Sequence, residues 1–253
     1  MCGRFALTAT PDQTSAFLGL DGLEDFPARY NIAPTQPILM AMAAEPRAPG
    51  SNLPDRQALL VRWGLVPGWV KDTKNFPLLI NARSEGVAEK ASFKVAMRHR
   101  RALVPASGFY EWRKKADGKG EPYWIRPRRG GLVAFAALME TYAEPGGSEI
   151  DTGAILTANA SADIAHIHER MPVVIEPEHF SRWLDCRTLE PRDVADLLRP
   201  ADDGLFEAVP IADLVNKVAN TGPEIQERFV AIDTPQPEKS AKRKVDDSQM
   251  TLF

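Results

Sequence analysis

The chain has 253 residues, 44% hydrophobic and 26% charged, with a net charge of −3. A chain of this size buries roughly 70–75% of its unfolded surface and needs neither disulfides nor a structural metal to fold. Two cysteines, Cys2 and Cys186, exclude a disulfide framework and a four-ligand zinc site. No run approaches the ~18 consecutive apolar residues of a membrane span, and MCGRFALTAT lacks a basic segment followed by an apolar one. The expectation is a reduced, cytoplasmic protein with no membrane partner.

In chain order, Thr10–Leu18 is predicted helical with Pro11 in the first turn. The stretch Glu45–Arg56, with three prolines, reads as a surface loop. Pro77–Ile80 is a predicted strand and Ser84–Ala91 a predicted helix, with acids early and Lys90 late. Predicted strands follow at Arg101–Val104, Tyr123–Ile125, Leu132–Leu138, Ala154–Thr157 and Val173–Ile175, separated by Gly, Pro and Asp clusters. Helices are predicted at Pro177–Trp183 and Pro191–Leu198. Because helices and strands do not alternate, the fold class is α+β, with a mainly antiparallel, barrel-like β-rich core flanked by helices. One domain is expected over residues 1–232, followed by a disordered tail over 233–253 that is polar until its last residues.

Charge is uneven along the chain. Between Lys94 and Arg129 there are eleven Lys or Arg and three acids, a local excess of eight, so the remainder carries −11. Such asymmetry focuses a positive potential on one face, or it is merely a solvated basic hairpin. Trp63, Trp69, Trp112 and Trp124 lie among Gly, Pro and basic residues. Each alone is better read as core, but together with Arg and Lys they match what single-strand binding requires, namely stacking platforms and phosphate contacts.

Cys2 is the most informative residue. An initiator Met is normally removed before a small residue, which would leave an α-amine and a thiol on one residue. Their ordinary pKa values, ~7.7–8.0 and ~8.5, make both nucleophilic near neutral pH. A 1,2-aminothiol condenses with an aldehyde and closes to a five-membered thiazolidine, and it also serves as an N-terminal nucleophile. Polar residues embedded in apolar, strand-like segments mark four further places: Tyr30–Thr35, Ile80–Glu85 with Asn81, Pro105–Trp112 with Glu111, and Ala165–Pro172 with His168. Glu111 among aromatics beside a basic stretch suits general acid/base work. His166 and His168 do not suggest a metal: on a helix, residues two apart point about 200° apart, and His99 and His179 are distant. No metal or cofactor is expected.

These residues resemble the SOS-response-associated peptidase (SRAP) family of abasic-site processing proteins. The matching motifs, in order, are MCGRF at 1–5, YNIAPTQ at 30–36, RWGLVPGW at 62–69, NARSE at 81–85, LVPASGFYEW at 103–112 and HERMP at 168–172. One departure is Met139, where the family usually has Trp. The resemblance implies a positively charged cleft, action on abasic sites in single-stranded DNA, and a covalent protein–DNA crosslink through Cys2. It also implies self-removal of Met1 by a thiol autopeptidase activity and, in a bacterium, association with the nucleoid. It further assigns catalytic roles to Cys2, Asn81, Glu111 and His168, and DNA contacts to Arg4, Arg83, Thr157, Arg170 and Trp69. A lyase-type activity is a further expectation.

The last five residues resemble a sliding-clamp-binding peptide, with Gln249 as polar anchor and Leu252 and Phe253 filling an apolar pocket. Two other classes use some of the same residues. An N-terminal-nucleophile amidohydrolase of glutaminase type would employ Cys2 and Asn81 but leaves the basic stretch, FYEW and HERMP without roles. A non-enzymatic reader of single-stranded or modified DNA would make Cys2 incidental.

Overall fold

The structure is a computed structural model that describes residues 2–229 except 47, 49 and 145. The predicted tail, with Gln249, Leu252 and Phe253, lies outside the described residues.

The elements in order are β1 (Phe5–Leu7), α1 (Pro11–Leu18), β2 (Arg29–Ile32), β3 (Pro37–Ala43), β4 (Arg56–Trp63), β5 (Asn81–Arg83) and α2 (Lys94–His99). They continue with β6 (Arg101–Ala106), β7 (Gly108–Lys114), β8 (Gly120–Pro127), β9 (Val133–Ala143), β10 (Glu149–Asn159), β11 (Arg170–Pro172), β12 (Val174–Ile175), α3 (Phe180–Leu184) and β13 (Phe206–Pro210). The fold is α+β and mostly sheet, as expected. One sheet has five strands in the order β13-β8-β7-β1-β2. The other has eight, and its central pairings run β10-β4-β3-β6-β9 and back to β10, so that it closes on itself as a ring. Pairing is antiparallel except where β10 runs parallel to β4 and β5.

Local chemistry accounts for most boundaries. Thr10 caps α1 by accepting from Gln13 N–H while Gln13 returns a bond to Thr10 N–H, Pro11 opens the helix, and Gly19 closes it in the left-handed region at φ 66. The predicted strand 77–80 is displaced: only an isolated Leu65–Leu79 bridge forms there, and the paired segment is β5. Nor does the predicted helix 84–91 form. Gly86 turns left-handed at φ 75, the segment 84–89 consists of turns, and α2 begins at Lys94. The helix predicted at 177–183 is a 3₁₀ turn leading into α3, and Pro191–Leu197 is 3₁₀ throughout.

The main core fills the space between the sheets. Phe5 packs edge-on against Trp63 and Phe135, and Phe109 against Phe135 and Phe206, at centroid distances of 5.3–6.2 Å. Gly108 lets β7 approach β8 closely, since a Cβ there would lie 2.4 Å from Ile125 O. The outer face of the ring is covered by α2 and α3 through Met97, Phe180, Trp183 and Leu184. The outer face of the five-stranded sheet packs Tyr110 and Trp124 under the segment carrying Val215 and Ile225.

Part of the basic stretch is internal or ion-paired. Arg101 is buried and donates to the carbonyls of Trp183, Met97, Asp185 and Leu189. Arg98 pairs with Glu190, Arg113 and Lys115 with Glu121, and Arg126 with Glu207. Two of these acids, Glu190 and Glu207, come from outside the stretch and neutralise part of its charge excess in place. Among the four tryptophans considered, Trp63 and Trp124 are core, Trp112 donates to Asn216 Oδ1, and only Trp69 is largely exposed, at 58%.

Candidate active site

The site lies where the N-terminal strand of the five-stranded sheet meets the C-terminal end of β10 in the ring. β1 pairs with β7 with Phe5 opposite Phe109, and Tyr110 N–H donates to Arg4 O at 2.9 Å. Continued two residues, this register sets Gly3 opposite Glu111 and brings Cys2 beside it. Cys2 is fully buried, its Sγ donating to Arg4 O at 3.8 Å. Burial, with the Glu111 carboxyl nearby, pushes the thiol far above the usual cysteine range. Glu111 is 3% exposed, and burial likewise raises its pKa while the adjacent His168 opposes the rise. Cys2, Glu111 and His168 thus form one electrostatically connected group.

The other flank is built on β10. Its residues Ile155 and Thr157 pair with Asn81 and Arg83 of β5 on one side, and Asn159 pairs with Arg170 of β11 on the other. Asn81 Nδ2 donates to Ile80 O at 3.1 Å, and its Oδ1 is buried with no hydrogen-bond partner among the described residues. An unsatisfied buried carbonyl is costly, and it is an acceptor available to an incoming donor. Trp63 Nε1 reaches the same Ile80 carbonyl at 2.9 Å while its ring packs on Phe5, which ties Asn81 to the strand of Cys2.

His168 stands on a series of turns, not a helix, with its N–H bonded to Ile164 O at 3.1 Å. The Arg170 N–H donates to His168 Nδ1 at 2.9 Å. The same Nδ1 lies 3.1 Å from Arg170 O, so it accepts from the Arg170 N–H or donates to the Arg170 carbonyl according to the ring's tautomer. His166 is exposed, and among the described residues no group of three His, Cys, Asp or Glu is placed to hold a metal.

Arg170 is 7% exposed and its fork is occupied internally. Nη1 and Nη2 donate to Glu85 at 2.7 and 2.8 Å, Nη1 to Asn159 Oδ1 at 2.9 Å, and Nη2 to Thr157 O at 2.5 Å. The paired guanidinium holds Glu85 well below the usual range, at about 2. Thr157 is fully buried, with Oγ1 3.5 Å from Arg170 Nη2. Arg4 Nη1 donates to Asn31 Oδ1 at 2.6 Å and to Val215 O at 2.8 Å. Asn31 in turn donates to Lys217 O and Asn220 O, strapping 215–220 over the strand. Arg83 is exposed, and its side chain makes no hydrogen bond or ion pair among the described residues. The Glu85–Arg170 pair and the Asn31 hub were not assigned from sequence. Their only signal was position inside NARSE, HERMP and YNIAPTQ.

Fold and site define a β-rich domain that buries an N-terminal cysteine thiol beside a raised-pKa carboxyl and a histidine. The chain belongs to the SOS response associated peptidase (SRAP) family, whose model matches residues 1–218. It is 36% identical over 231 residues to the abasic site processing protein YoqW of Bacillus subtilis, an alignment covering 90% of this chain and 99% of that protein. It is 32% identical to the abasic site processing protein YedK of Escherichia coli, covering 89% and 98%. A crystal structure of a Bacteroides thetaiotaomicron protein shares the fold at a TM-score of 0.75, with 24% identity over 90% of this chain and 100% of that one. Among the described residues no helix is long and apolar enough to cross a membrane.

Proposed function

We propose that this protein processes abasic sites in single-stranded DNA by trapping them covalently at Cys2. Support comes from membership of a family whose relatives are named for abasic-site processing. The observation that carries the reading is the burial of Cys2 against Glu111, with His168 adjacent. Met1 is first removed by hydrolysis of the Met1–Cys2 peptide bond, a thiol autopeptidase step using Cys2 and Glu111. His168 then protonates the ring oxygen of the abasic deoxyribose as the C1′ hydroxyl proton leaves, giving the open aldehyde. The Cys2 amine adds to C1′, and Glu111 protonates the carbinolamine hydroxyl, which departs as water and leaves the imine. The thiol adds to the imine carbon and its proton moves to nitrogen, closing a thiazolidine. A carboxyl with raised pKa suits this shuttle because it is protonated closer to neutral pH.

Asn81 Oδ1 orients the amine or the C1′ hydroxyl. Arg83 and Arg4 contact phosphates, Arg170 and Thr157 shape the pocket wall nearest them, and Trp69 stacks on a neighbouring base. Phosphate contacts carry no sequence information, so binding is sequence-tolerant and salt-sensitive. The terminal Gln249, Leu252 and Phe253 recruit the protein to the sliding clamp.

The test is intact mass spectrometry before and after incubation with an abasic single-stranded oligonucleotide, followed by a denaturing gel. A processed N-terminus with a denaturant-resistant adduct on Cys2 is the expected result. A processed Cys2 without adduct would return the amidohydrolase reading, which glutamine turnover then tests. Fully salt-reversible binding, equal on abasic and intact strands, would favour the non-enzymatic reader. A fluorescent tail peptide that fails to bind purified clamp at tens of micromolar would remove the clamp from the scheme.

A further inference from the structure

Among the described residues, Thr35 is the one non-glycine residue with positive φ, at 73°. It sits third in the turn Ala33-Pro34-Thr35-Gln36, which Gln36 N–H closes by donating to Ala33 O at 3.3 Å. Proline in second place fixes a negative φ there, so the turn is type II, and its third position is normally Gly or Asn. A β-branched residue in the left-handed region is strained. Thr35 is also exposed, so no core packing calls for its side chain. Strain of this kind persists where the surroundings over-determine it, and it clusters at ligand-binding positions.

The surroundings do over-determine this turn. Thr35 N–H donates to Trp63 O at 2.8 Å and Trp63 N–H to Gln36 O at 3.0 Å. The Gln36 Oε1 accepts from Ala33 N–H and from Arg29 Nη2. Trp63 carries the connection onward, since its indole N–H holds the Ile80 carbonyl that Asn81 Nδ2 also reaches. The strained residue is therefore fastened to the frame that positions Asn81, with its hydroxyl left at the surface.

We propose that Thr35 is a substrate-binding residue: its hydroxyl hydrogen-bonds the sugar–phosphate backbone of the single strand held at the Cys2 site. This rests on the abasic-site reading above. A neutral hydroxyl adds a directional contact without releasing a counterion, unlike the arginines around it. Glycine would relieve the backbone but remove the contact.

The test is equilibrium binding of the full chain to a single-stranded oligonucleotide carrying a tetrahydrofuran abasic analogue, which has no aldehyde and so binds reversibly. Wild type, Thr35→Gly and Thr35→Ser are compared across a salt series. Thr35→Gly is expected to weaken binding about tenfold with the log–log salt slope unchanged, the loss of one hydrogen bond to a charged group, and to melt no lower than wild type. Thr35→Ser keeps the hydroxyl and stays within about twofold. Binding of Thr35→Gly within twofold of wild type would overturn the assignment, as would Thr35→Ser falling as far as Thr35→Gly. Lower melting of Thr35→Gly would refute the strain. Wild-type protein that fails to bind the oligonucleotide would remove this inference and the abasic-site reading together.

Discussion

Glu111 and Glu85 stand on opposite flanks of one site and are driven in opposite directions. Glu111, on an inner strand of the five-stranded sheet, is buried, and desolvation raises its pKa. Glu85, just past β5 in the ring, meets the Arg170 fork and falls to about 2 from an ordinary 4.5. The same side chain is thus pushed toward its protonated form in one place and toward its ionised form in the other, by environment alone. The Cys2 flank holds its titratable groups toward their protonated forms. The Arg170 flank is built to stay fixed.

That division is most sharply tested at the reactive flank. Cys2→Ala is expected to abolish the denaturant-resistant adduct while leaving reversible DNA binding, as read on denaturing and native gels. Cys2→Ser closes at most a weaker oxazolidine, and a stable adduct from either variant would break the scheme. Glu111→Gln is expected to slow crosslinking by about 10²–10⁴-fold, the usual worth of a positioned acid/base. In the wild type, the step that uses Glu111 as an acid should slow as pH rises through its raised pKa. A pH–rate profile of Glu111→Gln should lack that limb.

At the fixed flank the expected effects are on stability. Glu85→Gln leaves a buried guanidinium without its carboxylate. We expect a cost of about 1–2 kcal/mol, the buried-pair penalty discounted because the Glu85 side chain is 56% exposed. In a domain of this size that is a fall of roughly 3–6 °C in melting temperature. The sign with pH follows from the lowered value: the contribution of Glu85 is complete above about 4.5 and is lost as pH falls toward about 2. Acid titrations of wild type and Glu85→Gln should therefore converge at low pH. The smallest effect is at Arg83, which is exposed. Arg83→Ala should change stability by no more than about 0.5 kcal/mol. It should reduce the salt slope of single-strand binding by about 0.7, the value of one phosphate contact.

Legibility in the sequence followed the range of the forces involved. Helix α1 was readable because Thr10, Pro11 and Gln13 are a local signal complete within four residues. The strands β6, β9 and β10 were readable in their centres because apolar runs mark them, but the ends of β9 and β10 were not: residues 139–143 and 149–153 pair with each other and mix polar with apolar side chains, so no apolar run marks them. The helix expected at 84–91 failed on Gly86, a single left-handed residue that propensity sums understate. Of the site, Cys2, Asn81, Glu111 and His168 could be nominated by residue type and motif. What sequence could not convey was that Arg170 is spent on Glu85, 85 positions away, or that Asn31 ties Arg4 to a strap near residue 215. Both are contacts between distant segments.

Burial of Cys2 also bears on how the protein withstands oxidants. Oxidation of a thiol to sulfenic acid and beyond follows thiolate character and access. Cys2 has neither, being fully enclosed and held protonated, whereas Cys186 is partly exposed at the far side of the ring beside Arg101. A peroxide or an alkylating probe should mark Cys186 first and leave Cys2 intact. The fold thereby shields the Cys2 sulfur and leaves that of Cys186 accessible.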